Sequence, residues 1–138
     1  MAETVAKTRT TDTMRQALLS RKTVTMIDDD DVDHFIVKAL LRRLDNVELI
    51  SFKSPLSVVA LIQERKFHTD FVLLDINMPG MNGWEFMEVF EANDVNVPVF
   101  IVSSSRNEND LQRSSGFKSV KGYFFKPLLL ENLQKLLA

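Results

Sequence analysis

The chain has 138 residues, is 45 % hydrophobic, contains no cysteine, and carries 17 basic against 19 acidic side chains for a formal charge of −2. That length suits one domain able to bury its own core. The lack of cysteine excludes thiol catalysis, disulfide frameworks and Cys-based zinc sites, and the near-balanced charge gives no electrostatic case for nucleic-acid binding. No apolar run approaches the ~18 residues of a membrane span, and the start lacks the apolar stretch of a secretory signal. These features lead us to expect a soluble cytoplasmic protein that binds neither membrane nor nucleic acid.

Residues 1–21, MAETVAKTRTTDTMRQALLSR, are polar and lean basic. We expect an N-terminal extension, flexible or forming a short helix from Asp12 or Thr13, ahead of a single domain over 22–138. From Thr23 the pattern changes. TVTMI (23–27) reads as a strand, and 33–44 as a helix with Ile36, Leu40 and Leu44 at helical spacing. VELISF (47–52) is a second strand, after which Ser54 caps a helix that has Pro55 at its first position. FVLLD (71–75) is a continuous apolar run, as a strand covered on both faces requires. A helix over 82–93, a strand over 97–103, a weak helix over 108–115, a strand over 121–125 and a helix over 129–137 complete the chain. Such alternation implies an α/β fold. We expect a flavodoxin-like (βα)5 three-layer sandwich, its parallel five-stranded sheet in the order 2-1-3-4-5.

Open parallel sheets bind ligands beyond the carboxyl ends of their strands. Strand 1 ends in Asp28 and Asp29, strand 3 in Asp75, strand 4 in Ser103, Ser104 and Ser105, and strand 5 in Lys126 and Pro127. In the expected order these ends converge on one edge. Carboxylates suit a hard cation such as Mg²⁺, a carboxylate can be a nucleophile, and an ammonium can neutralise phosphoryl oxygens. The run Asp28–Asp31 then divides. Asp28 and Asp29 face Asp75, and carboxylates ~5 Å apart repel by ~3 kcal/mol per pair at an effective dielectric near 20. Asp30, Asp31 and Asp33 fit a helix start, where the dipole favours negative charge.

The motifs IDDDD, LLDINMPGMNG, VSS and GYFFKP occur in an order and spacing that resembles a response-regulator receiver domain over roughly residues 22–138. The resemblance implies that Asp75 is the phospho-acceptor. It implies that Asp28, Asp29, Asp75 and the backbone carbonyl of Asn77 hold Mg²⁺, with Mn²⁺ as a substitute. Ser103 would bond the phosphoryl group, Lys126 would pair with one of its oxygens, Pro127 would follow a cis bond, Gly83 would suit the tight turn into the third helix, and Tyr123 would change rotamer with Ser103. The implied donor is a phosphohistidine on a sensor histidine kinase or phosphotransfer protein. The implied output is a switched face of fourth helix, fifth strand and fifth helix that meets a downstream protein target, from a monomer or weak dimer. Such a domain is not a conventional enzyme, since it catalyses only its own phosphorylation and dephosphorylation.

The switch hydroxyl is Ser rather than the commoner Thr, and the fourth helix has few large apolar residues, which leads us to expect low local stability there. Tyr123 and Phe124, on a short edge strand, could offer a partner surface. A haloacid-dehalogenase-type phosphatase would want a second Asp where Asn77 stands, and an EF-hand starting at Asp29 would want Gly and Glu where His34 and Leu40 stand. A pseudo-receiver would lack phosphorylation residues that are all present. No output domain follows within the chain, so a single-domain regulator and a fragment of a larger one are both compatible with it.

Overall fold

Each strand segment is short and rich in Val, Ile, Leu or Phe, and each of the first four is followed by a helix that starts with a polar side-chain cap. This local grammar builds the fold. The computed structural model describes residues 21–138 together with Met14 and Arg15; the rest of the expected extension over 1–21 lies outside the described residues. In chain order the elements are β1 (Lys22–Ile27), α1 (Asp31–Leu41), β2 (Val47–Phe52), α2 (Pro55–Gln63), β3 (Phe71–Leu74), α3 (Gly83–Ala92), β4 (Val99–Ser103), α4 (Glu108–Ser114), β5 (Val120–Phe125) and α5 (Leu130–Leu137). The strands form one five-stranded sheet in the order β2-β1-β3-β4-β5, with every neighbouring pair parallel. Among the described residues no helix is long and apolar enough to cross a membrane.

The period-2 alternation of the strands sorts two cores. Val24, Met26, Phe71, Leu73 and Val102 face one side and pack with Val37 and Leu41 of α1 and Leu133 of α5. Ile27, Val72, Leu74, Val99 and Ile101 face the other and pack with Val58 and Ile62 of α2 and Phe86 and Phe90 of α3. All four residues of β3 are buried, which is why that run is uninterruptedly apolar.

Element ends follow caps and prolines. Helix α1 begins two residues earlier than its apolar periodicity suggests, because Asp30 is the N-cap and its Oδ1 accepts from Val32 N at 2.8 Å. Ser54 caps α2, with Pro55 in the first turn, and Asn82 and Glu85 form a reciprocal capping box at α3. Strand β4 starts at Val99 rather than Val97. Pro98 has no N–H for the ladder, although its carbonyl still accepts from Val72 N at 3.0 Å.

Candidate functional site

Sheet order decides what meets at the carboxyl edge. Because β1 and β3 are neighbours, the residues just past their ends, Asp28 and Asp75, are brought side by side; Asp75 N donates to Ile27 O at 2.9 Å and fixes this alignment. Oxygens of Asp28, Asp29 and Asp75 lie within 4.8 Å of one another. Asp28 and Asp75 are 1 % and 6 % exposed, whereas Asp29 is open to solvent. Asp29 and Asp75 line a cleft of about 490 Å³ together with Asp30, Asp31, Asn77, Ser104 and Lys126, and Asp28 lies behind them against Lys126.

Lys126 enters from β5. Its backbone N donates to Ser103 O at 3.0 Å, and its peptide bond to Pro127 is cis. The ammonium lies 2.9 Å from Asp28 Oδ2, 3.7 Å from Asp75 Oδ2 and 2.6 Å from Asp33 Oδ2. Burial would lower the Lys126 pKa, but the bonds to Asp33 and Asp28 outweigh it and raise the group above its ordinary value. Burial pushes Asp75 up to about 6, helped by the charge of Asp28 and opposed by Lys126. Asp28 is likewise raised, chiefly by burial, against the bond from Asp30 N and the pull of Lys126. One ammonium thus leaves this cluster of carboxylates short of positive charge.

The donor set fits a small hard dication. It offers three carboxylate oxygens, two on groups whose burial raises their pKa, and an open side at Asp29 where waters can remain on the ion. Asn77 sits at the rim and its N donates to Asp75 Oδ1 across a long 3.5 Å.

Ser103 is fully buried, and its Oγ accepts from Ser105 N at 3.0 Å within its own loop. Tyr123 Oη donates to Ser105 O at 2.9 Å, so the two residues expected to switch together are joined through Ser105. The same residue is tied further: Ser105 Oγ donates to Asp110 Oδ2 at 2.6 Å, and Trp84 Nε1 donates to Asp110 Oδ1 at 3.4 Å. Trp84 also stacks on Phe117 with centroids 5.9 Å apart. Helix α4, poor in apolar residues as read from the sequence, is therefore docked by a polar cluster and one aromatic stack.

Two site neighbours were not singled out from the sequence. Asp33, read as a helix-start residue, is instead in direct contact with Lys126, although it does lie in the first turn of α1. His34 Nε2 donates to Asp28 O at 2.6 Å, which fastens α1 to the tip of β1. Asp31, by contrast, pairs with Lys53 at 2.5 Å on the surface, and this pairing lowers its pKa.

Gly83 closes the loop beneath Asp75. Its N donates to Ile76 O at 3.0 Å, and a Cβ there would lie 2.7 Å from Ile76 Cα and 2.9 Å from Asp75 O. Gly83→Ala is expected to cost about 1–3 kcal/mol in urea unfolding, since backbone rather than a movable side chain blocks the methyl. Wild-type stability in that variant would contradict this close approach.

A family model described as response regulator receiver domain matches residues 24–138. The chain belongs to that family. This receiver domain is 29 % identical over 119 residues to the transcriptional regulatory protein MalR of Bacillus subtilis, covering 83 % of this chain and 48 % of MalR. It is thus about half the length of that curated relative, and it spans 29 % of the two-component response regulator ARR14 of Arabidopsis thaliana. Among solved structures, a two-component response regulator from Cytophaga hutchinsonii superposes with a TM-score of 0.74 at 29 % identity, covering 84 % of this chain and 94 % of that one. The Mn²⁺-bound form of response regulator Rcp1 gives a TM-score of 0.69 at 27 % identity, covering 84 % and 88 %. The flavodoxin-like fold of the receiver domain and its place in two-component signalling are therefore established.

Proposed function

We propose that this receiver domain takes a phosphoryl group onto a carboxylate oxygen of Asp75, from a phosphohistidine of a sensor histidine kinase or histidine phosphotransfer protein. The observation that carries the reading is the convergence of a buried strand-tip carboxylate, two further carboxylates and one ammonium on a single open cleft. An Asp75 oxygen attacks phosphorus, the P–N bond to the donor imidazole breaks, and the freed ring nitrogen takes a proton. Asp28, Asp29, Asp75 and the Asn77 carbonyl would hold Mg²⁺ or Mn²⁺, which when bound supplies neutralisation of the phosphoryl oxygens. Lys126, 2.9 Å from Asp28 Oδ2 and 3.7 Å from Asp75 Oδ2, offers a second positive charge.

Ser103 is buried at the end of β4, next in chain to Ser104 of the cleft, and its Oγ accepts from Ser105 N. Turning its Oγ to a phosphoryl oxygen gives up the bond from Ser105 N. Ser105 also accepts from Tyr123, so the change passes to β5 and, through Asp110, to α4. The face of α4, β5 and α5 is then the surface that reports phosphorylation to a downstream protein. The donor kinase's phosphohistidine and this domain would meet in the cytoplasm.

Incubation with acetyl phosphate and Mg²⁺ tests the reading. Intact-mass measurement should show one added phosphoryl group in the wild type and none in Asp75→Asn, with slow release of phosphate. An adduct of equal yield in the variant would remove Asp75 as acceptor. Rapid continuous release of phosphate would favour an aspartate-nucleophile phosphatase instead.

A further inference from the structure

The Lys126 ammonium has three hydrogens to donate, and its shortest contact is to neither member of the strand-tip pair. It is to Asp33 Oδ2, at 2.6 Å, against 2.9 Å to Asp28 and 3.7 Å to Asp75. Asp33 stands in the first turn of α1, where the helix dipole alone would favour an acid. That explanation leaves its side chain free to remain in water. Here the side chain is only 20 % exposed and reaches across the fold to a residue 93 positions away. The other acids of the run have separate employment. Asp30 caps the helix through Val32 N, and Asp31 pairs with Lys53.

We infer that Asp33 is a positioning residue for Lys126, holding the ammonium at the rim of the cleft so that Asp28 and Asp75 stay available to a divalent cation. The inference rests on the reading of that cleft as a cation and phosphoryl site. Of the three carboxylates that touch Lys126, Asp28 and Asp75 belong to the set that converges on the cleft, and Asp33 does not. With Asp33 in place, oxygens of Asp28 can turn to a cation while the lysine keeps a charged partner. Without it, the ammonium has only Asp28 and Asp75 to pair with and competes with the cation for both.

The test is Mg²⁺ binding by calorimetry on the full chain with no phosphodonor present. It uses Asp33→Asn, Lys126→Met, the double variant, and Asp45→Asn, which removes an equal charge from an exposed acid outside the cleft, in the loop between α1 and β2. Asp33→Asn should weaken Mg²⁺ binding about tenfold, the effect of drawing one ammonium onto the cation's own ligands in a partly exposed site. Asp45→Asn should change it by less than about threefold, as a screened surface charge does. In the Lys126→Met background the Asp33 effect should shrink to that of Asp45→Asn, because the residue acts through the lysine. Asp33→Glu should restore most of the affinity. Equal effects of Asp45→Asn and Asp33→Asn, or an Asp33 effect undiminished without Lys126, would overturn the inference. Should Asp33→Asn fail to fold, Asp33→Ser gives the same comparison. Wild-type protein that binds no Mg²⁺ would overturn the inference together with the metal reading. Normal Mg²⁺ binding without an adduct at Asp75 would remove the phosphoryl reading and leave the role of Asp33 to be decided by the cycle.

Discussion

Asp75→Asn is expected to make the metal-free protein more stable at pH 7, by about 2 kcal/mol. Asp75 has its pKa raised from 3.8 to about 6, by burial first and then by the charge of Asp28. The native state therefore binds this proton more tightly than the unfolded chain does. Below pH ~4 both states are protonated and nothing is lost. As pH rises from ~4 to ~6, the unfolded carboxyl ionises first and native stability falls, levelling off once the native group has also ionised. A shift of about two units corresponds to at most about 3 kcal/mol, and the neutral amide removes most of that cost. Urea unfolding at several pH values in the presence of EDTA should show the decline between pH 4 and 6 reduced in the variant. Part of the decline should persist, because the Asp28 pKa is also raised. Parallel pH profiles for the two proteins, or a variant less stable at pH 7, would contradict this account of the site. Saturating Mg²⁺ should reverse the order, since the wild type gains ligand-linked stability that the variant largely loses.

Lys126→Met is expected to act in the opposite direction. The ammonium neutralises part of the charge on Asp28, Asp33 and Asp75, and its side chain is only 18 % exposed. Methionine keeps much of the stem packing and removes the charge. Three carboxylates, one of them fully buried, are then left facing one another. Removing one partner from a buried ion pair costs about 3–5 kcal/mol, and the partial exposure of this cluster brings the expected loss to about 2–4 kcal/mol in EDTA. Two features separate this loss from simple damage to the core. Millimolar Mg²⁺ should recover much of the lost stability, because a dication can take over the neutralisation. Mg²⁺ should also bind the variant more tightly than the wild type, since the competing ammonium is gone. An equal loss of stability with and without Mg²⁺ would show that the lysine matters for packing alone.

The parts of the fold that were legible in the sequence are those set by local rules. FVLL at 71–74 is apolar at every position because β3 is covered on both faces, and Ser54-Pro55 marks the start of α2 through capping chemistry alone. The convergence of Asp28, Asp29, Asp75 and Lys126 could be anticipated because parallel strand order determines which strand ends are neighbours. What could not be read depends on contacts between distant segments. Asp33 looks like any first-turn acid until the end of β5 brings the Lys126 ammonium to it. Its surplus among the acids of 28–33 was the one available signal, since a helix start needs only one cap. Helix α4 looked weak because periodicity counts only apolar residues. The bonds from Ser105 Oγ and Trp84 Nε1 to Asp110 join three elements and leave no periodic trace.

The central claim is that Asp75 is the residue that becomes phosphorylated. Borohydride reduces an aspartyl phosphate to the corresponding alcohol and leaves free carboxylates intact, so it marks the acceptor directly. Protein treated with acetyl phosphate and Mg²⁺, reduced and digested, should carry the modification at Asp75 alone, and EDTA should abolish it. Modification at Asp28, Asp29 or Asp33 instead, or no modification in protein shown to be folded and to bind Mg²⁺, would contradict the account.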